Sequence, residues 1–231
     1  MEKIYIFDFD GVICDSNLET FDNSLNTFLE FINFKKTIEK NESLLNLYVN
    51  NRHRVRRPSD FLNFWFFILK KNIDLNLIRS TSLESKKYEK LFFKNREKSK
   101  KTNNEEWLKK NFIYKKIKPL IKSLILKDNI FIASTKDESS IKEILDYNKI
   151  FFNMKKIYGS ESYNDKDDMF KEIKKLHKNS EIIFIDDNKL NLDKALKFKF
   201  KCYYATWGYG VEKKIKDIDN INLDNLNQIF V

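Results

Sequence analysis

IYIFDFDGVICDS, residues 4–16, is the stretch from which the rest of the chain can be read. An apolar run, 4–7, stops at Asp8, and Asp10 and Gly11 follow at once. A short apolar run that meets turn residues predicts a buried strand. Side chains alternate along a strand, so Asp8 and Asp10 project the same way where it ends. Gly11 lets the backbone turn sharply away. Two carboxylates held together repel, and one has a raised pKa unless a cation sits between them. The pattern suits a metal-bound nucleophile, Asp8, with an acid/base partner, Asp10.

Outward from this stretch, further strands are expected at 129–134, 182–186 and 201–205, each apolar and followed by polar residues. Helical spacing fills the intervals at 117–127, 139–148, 167–178 and 191–199. Alternating strands and helices predict a parallel sheet covered on both faces, with ligands at the carboxyl ends of the strands. The segment from about 18 to 112 breaks this rhythm and reads as a helical insertion. Phe21, Leu25, Phe28, Leu29 and Ile32 recur at helical spacing, as do Phe61, Trp65, Ile68 and Leu69, and the aromatic run 61–67 is expected in a helix core. The charged stretch 94–106 is expected to be an exposed helix end or loop.

Three more polar clusters carry chemistry. After the strand at 129–134 come Ser134, Thr135 and Lys136, where a hydroxyl and main-chain N–H groups can bind phosphate oxygens. A Ser or Thr there can equally cap the next helix. Lys166 stands between a polar loop and an amphipathic helix, where its charge could offset a nucleophile and a phosphoryl group. Asp186 and Asp187 close the β-branched run 182–185, and with Asp8 they form a hard oxygen set suited to Mg²⁺. As a helix cap, Asp-Asp-Asn would be unremarkable in isolation; four such clusters in one order favour a site.

These motifs resemble those of the haloacid dehalogenase superfamily, in its phosphoglycolate-phosphatase-like branch. DFDGV at 8–12 matches the family's first motif, Ser134 the second, Lys166 the third and the pair Asp186 and Asp187 the fourth. The stretch 119–127 resembles the helix before the second motif, and ATWGYG at 205–210 resembles a segment common in that branch. The resemblance covers about 3–16 and 112–211. It implies a Rossmann-like core formed by 1–16 and 113–231, with an inserted helical cap at 17–112. It also implies a Mg²⁺-dependent phosphatase working through an aspartyl-phosphate on Asp8. Asp10 would be acid/base and would offer the metal its backbone carbonyl; dehalogenases lack this second aspartate. Asp187 is the better match to the metal ligand, with Asp186 as neighbour or alternate. Gly11, Ser134 and Thr135 would lie against the phosphate. Two departures stand out: Asp167 follows Lys166 where many relatives have proline, and Asn191 replaces an acid common there.

Composition bounds the rest. The 231 residues are 42% apolar and 34% charged, enough for a folded core. No apolar run reaches the ~20 residues of a membrane span, and the chain opens directly on its first strand, so a cytoplasmic protein without a signal peptide is expected. Cys14 and Cys202 are too few for a disulfide framework. The net charge of +10 is spread over many lysines, which argues against nucleic acid as the main partner. One local concentration exists: Arg52, Arg54, Arg56 and Arg57 are four of the six arginines, and Arg54 is a candidate for the substrate's non-transferred end. The expected partner is a small phosphorylated metabolite, of the phosphoglycolate or sugar-phosphate type, bound by a monomer or homodimer. A phosphomutase with the same aspartyl-phosphate is the nearest alternative. A basic nucleic-acid-binding protein with an inactive core is more distant. A receiver domain shares the residue types but has a different motif order and lacks the long insertion.

Overall fold

The apolar run at the N-terminus is strand β1, Lys3–Phe7, of the computed structural model, which describes residues 2–35, 38–69, 82–212 and 214–230. The other strands are β2 (Cys14–Asp15), β3 (Phe112–Ile113), β4 (Ile130–Ala133), β5 (Ile157–Tyr158), β6 (Glu181–Asp186), β7 (Lys201–Ala205) and β8 (Asp219–Ile221). Six form one parallel sheet in the order β5-β4-β1-β6-β7-β8. Strand β1 is central, with Phe7 level with Ile132 on one side and Ile185 on the other. That register brings Asp8, Ser134 and Asp186 out at one edge. Strands β2 and β3 form a separate antiparallel ribbon.

The described residues fall into two compact units, Met1–Asp15 with Phe112–Val231, and Ser16–Asn111. The second unit holds helices α1 (Asn17–Phe31), α2 (Glu42–Asn51), α3 (Asp60–Leu69), α4 (Ser82–Thr102) and α5 (Asn104–Lys109). Its core joins Phe21, Leu25 and Phe28 of α1 to Phe61, Phe64 and Trp65 of α3, Tyr48 of α2 and Phe92 of α4. The aromatic run at 61–67 is therefore helix core, with Phe67 on the exposed side. Helix α1 also buries Thr20, Asn23 and Ser24. Each is satisfied: Thr20 Oγ1 lies 2.7 Å from Tyr48 Oη, Asn23 Nδ2 donates to Phe92 O at 3.2 Å, and Ser24 Oγ accepts Trp65 Nε1–H at 2.9 Å.

The stretch 94–106 is a largely exposed helix end, as expected, with Arg96 and Lys100 as its buried residues. It is the end of α4 followed by the start of α5, and Arg96 is 3% exposed. Arg96 Nε and Nη2 donate to both carboxylate oxygens of Glu19, at 2.9 and 3.0 Å, and Trp107 Nε1 adds a third bond to Glu19 at 3.2 Å. A charge that looks solvated in sequence is buried because its partner lies on another helix.

Helices α6 (Ile117–Leu126), α7 (Glu138–Tyr147), α8 (Lys166–Leu176) and α9 (Lys189–Lys197) belong to the sheet unit. Their apolar stripes pack on the strands: Phe170 of α8 meets Phe184 edge-on at 4.9 Å and Phe200 at 5.4 Å. Ile4, Ile6, Phe131, Phe170, Phe184 and Leu192 share one buried cluster, each phenylalanine contributing ~1.5–3 kcal/mol by burial. This packing holds the strand ends still.

Candidate active site

Asp8 follows β1 directly. Its main-chain N–H continues the ladder to Ile185 O at 2.9 Å, and its Oδ1 accepts the Phe9 N–H at 2.7 Å. Gly11 then adopts φ +86°, which a side chain would strain. The turn closes through Gly11 N–H to Cys14 O at 2.8 Å and through Ile13 and Cys14 N–H to Phe9 O at 2.9 Å. Asp8 thus stands on a strand end backed by a closed loop.

At the end of β4, Ser134 N–H donates to Tyr158 O at 2.9 Å, while Ser134 Oγ accepts the Lys136 N–H at 3.3 Å. Thr135 follows, half-buried. Asp137 caps α7 by accepting the Ser140 N–H at 2.9 Å, so helix capping falls to Asp137 rather than to the hydroxyls. Lys136 is buried, with Nζ 3.3 Å from Asp10 Oδ1.

Lys166 is the first residue of α8, after the capping Asp165. A cation at a helix N-terminus opposes the helix dipole, and Asp167 and Asp168 in the first turn offset it. Its Nζ lies 3.1 Å from Asp8 Oδ1 and 2.7 Å from Asp186 Oδ2. The preceding loop is fastened to α7. Glu138 accepts the N–H groups of Glu161 and Ser162 at 2.8 and 3.1 Å, and Glu161 accepts the Ser139 N–H at 3.0 Å.

Asp186 and Asp187 end β6 and begin the turn into α9. Both oxygens of Asp186 are engaged: Oδ1 by the Asn188 N–H at 2.7 Å, Oδ2 by Lys166 and by Asn191 Nδ2 at 3.0 Å. Asn191 thus serves as a donor to Asp186. Asp187 Oδ2 accepts the Tyr209 N–H.

The electrostatics are unbalanced. Asp8, Asp186 and Asp187 are buried, and each offers a carboxylate oxygen within 4.8 Å of the others. Among the described residues, four carboxylates, Asp8, Asp10, Asp186 and Asp187, gather around two lysines, Lys136 and Lys166. Burial, with Asp186 and Asp10, pushes the Asp8 carboxyl up to about 7 against the pull of Lys166. Burial alone would lower the Lys166 pKa; Asp186 and Asp8 outweigh it and hold it above the usual lysine range. All-oxygen donors with a net deficit of positive charge fit a hard divalent cation.

Of the residues singled out in sequence, Asp8, Asp10, Lys166, Asp186 and Asp187 converge, and Ser134 and Gly11 lie in the adjoining loops. Arg54 is in the helical unit, on a 3₁₀ turn, with Nε 3.1 Å from Asn51 Oδ1 and its guanidinium 4.8 Å from the Phe67 ring centroid. Neighbouring Arg52 is buried and donates to Val55 O at 2.9 Å, a structural use. Two features escaped the sequence reading: the burial of Lys136 on Asp10, and the approach of the 206–210 loop to Asp187. The only cue to Lys136 was its place two residues after Ser134.

No family model matches the chain, and no curated protein matches it in sequence. Its fold is shared by solved structures. A haloacid dehalogenase-like hydrolase from Streptococcus pneumoniae aligns over 100% of this chain and 99% of its own, with TM-score 0.67 and 17% identity. A predicted phosphoglycolate phosphatase from Haemophilus somnus aligns over 100% and 98%, with TM-score 0.65 and 16% identity. The protein tyrosine kinase A of Mycobacterium tuberculosis aligns over 97% and 96%, with TM-score 0.60 and 17% identity. The chain therefore shares the fold of these structures, and a shared fold does not fix a reaction.

Proposed function

We propose that the protein is a divalent-cation-dependent phosphatase of small phosphorylated metabolites. The observation that carries this reading is Asp8, at a strand end, 3.1 Å from a buried lysine and clustered with Asp186 and Asp187. An Asp8 oxygen attacks phosphorus as the bond to the leaving oxygen breaks, and Asp10 gives that oxygen its proton. Water then attacks the phosphorus of the aspartyl-phosphate with Asp10 taking its proton, which releases phosphate and restores Asp8. Lys166 offsets the charge on Asp8 and the phosphoryl group. Ser134, Thr135 and the Gly11 turn supply phosphate-binding groups.

Mg²⁺ held by Asp8, Asp187 and the Asp10 carbonyl would neutralise phosphoryl oxygens. Three chain donors, from Lys166, Asn188 and Asn191, already engage Asp186, which supports Asp187 as the direct ligand. In this reading the helical unit is the cap that sets substrate choice, and Arg54 recognises an anionic group. A screen of phosphorylated metabolites with Mg²⁺, assayed for phosphate release, tests the proposal. Asp8→Asn should lose about 10³-fold or more in kcat. Full activity in Asp8→Asn would refute the mechanism, and isomer formation on hexose phosphates without phosphate release would favour a mutase.

A further inference from the structure

The chain contains four glycines, and three of them crowd one residue, Asp187, two of these at its carboxylate. A Cβ on Gly11 would stand 2.5 Å from Asp187 Oδ2, and one on Gly208 would stand 2.5 Å from the same oxygen. A Cβ on Gly210 would stand 2.5 Å from the Asp187 main-chain oxygen. Real Cβ atoms essentially never come so close, so the Asp187 side chain occupies space that these glycines leave open. The glycines come from different parts of the chain, Gly11 after β1 and the other two after β7.

The same loop supplies a bond. The Tyr209 main-chain N–H donates to Asp187 Oδ2. The loop is itself anchored: Trp207 Nε1 donates to Val12 O at 3.1 Å, Thr206 N–H to Ile221 O at 3.0 Å, and Tyr204 Oη to Glu212 O at 3.0 Å. The Tyr209 ring lies over Gly11, whose Cβ would meet its Cδ2 at 3.1 Å. By contrast, the Tyr209 hydroxyl lies at longer range, 3.5 Å from Cys14 O and 3.4 Å from Asp15 Oδ1.

We propose that the 206–210 loop is a positioning clamp for Asp187. Its Gly208 closes on the carboxylate, its Gly210 on the Asp187 main-chain oxygen, and its Tyr209 N–H fixes Oδ2, so that Asp187 is already oriented when a divalent cation arrives. The inference rests on the reading of Asp187 as a metal ligand. It assigns work to backbone and glycines that carry no charge. Groups that orient a ligand typically change metal affinity by ~10–100-fold when altered.

The experiment uses Mn²⁺ as probe, followed by electron paramagnetic resonance on the intact protein, with circular dichroism to show that each variant is folded. Gly208→Ala and Tyr209→Pro should bind Mn²⁺ at least tenfold more weakly than the unaltered chain. Tyr209→Phe keeps the N–H and should stay within twofold. Folded Gly208→Ala with unchanged affinity would overturn the clamp. A second measurement needs no change in the loop. Amide exchange at Tyr209 should accelerate at least tenfold in metal-free Asp187→Ala, and an unchanged rate would also overturn it. If the unaltered protein binds no Mn²⁺, the proposed function fails, while the amide-exchange result still decides the clamp.

Discussion

Each unit buries an ionic cluster, and the two clusters are built on opposite principles. In the helical unit one arginine meets one carboxylate, bidentate at 2.9 and 3.0 Å, with Trp107 closing the set. In the sheet unit four carboxylates share two lysines. The first cluster is complete within the chain and serves as scaffold. The second holds more carboxylates than lysines, an arrangement that fits an added cation. Buried charge by itself does not mark a site; unbalanced buried charge does.

The contrast can be broken by deleting one charge from each cluster. Arg96→Met leaves Glu19 buried without its cation and should cost ~3–5 kcal/mol, read by urea unfolding. A cost under 1 kcal/mol would show that the pair is not a scaffold. Asp8→Asn, measured in chelator at pH 8, should act in the opposite direction. Removing one of several like charges should stabilise the protein by about 2 kcal/mol, with Asp186 still holding Lys166. Destabilisation there would mean that the sheet-unit cluster is balanced after all.

Smaller effects sharpen the comparison. Arg54→Ala should raise KM for the best substrate about tenfold, equal to ~1.4 kcal/mol, with unfolding shifted by under ~0.5 kcal/mol. An unchanged KM for every accepted substrate would remove Arg54 from recognition. Asp22 gives the pH dependence of a balanced group. Burial pushes its carboxyl up, but Lys110 and Lys40, at 2.7 and 2.9 Å, outweigh this and hold it below the usual range. A depressed folded pKa contributes stability above the unfolded value of 3.8, lost as pH falls through the folded value. Asp22→Asn should therefore cost about 1 kcal/mol at pH 7 and nothing near pH 2, by unfolding at both.

The sheet was legible where strands are long and buried. The apolar run 4–7 and the expected strands at 129–134, 182–186 and 201–205 correspond to β1, β4, β6 and β7 within a residue at each end. The two edge strands were not legible. β5 has two residues, and β8 reads Asp-Asn-Ile, too short and too polar for a periodic signal. The carboxylates of the site were visible because acids closing apolar runs are locally costly. Lys136 was hidden because lysine is abundant and only the fold reveals which one is buried. Within the exposed helix end 94–106 the burial of Arg96 was hidden for the matching reason: it is paired with Glu19, far away in sequence, and local polarity cannot report a distant partner.

The ribbon of β2 and β3 has a consequence for how this architecture can change. Asp15 pairs with Phe112, so the chain leaves the sheet unit and returns to it at adjacent, hydrogen-bonded positions about 5 Å apart. To the sheet, everything between those residues is one closed loop, whose entropic cost grows by only ~0.6 kcal/mol for each doubling in length. The insert is therefore exchangeable, replaceable by a shorter or longer one without renegotiating the register of β1 with β4 and β6. The insert and the sheet can thus vary in length and sequence on separate schedules, joined by two pairs of residues.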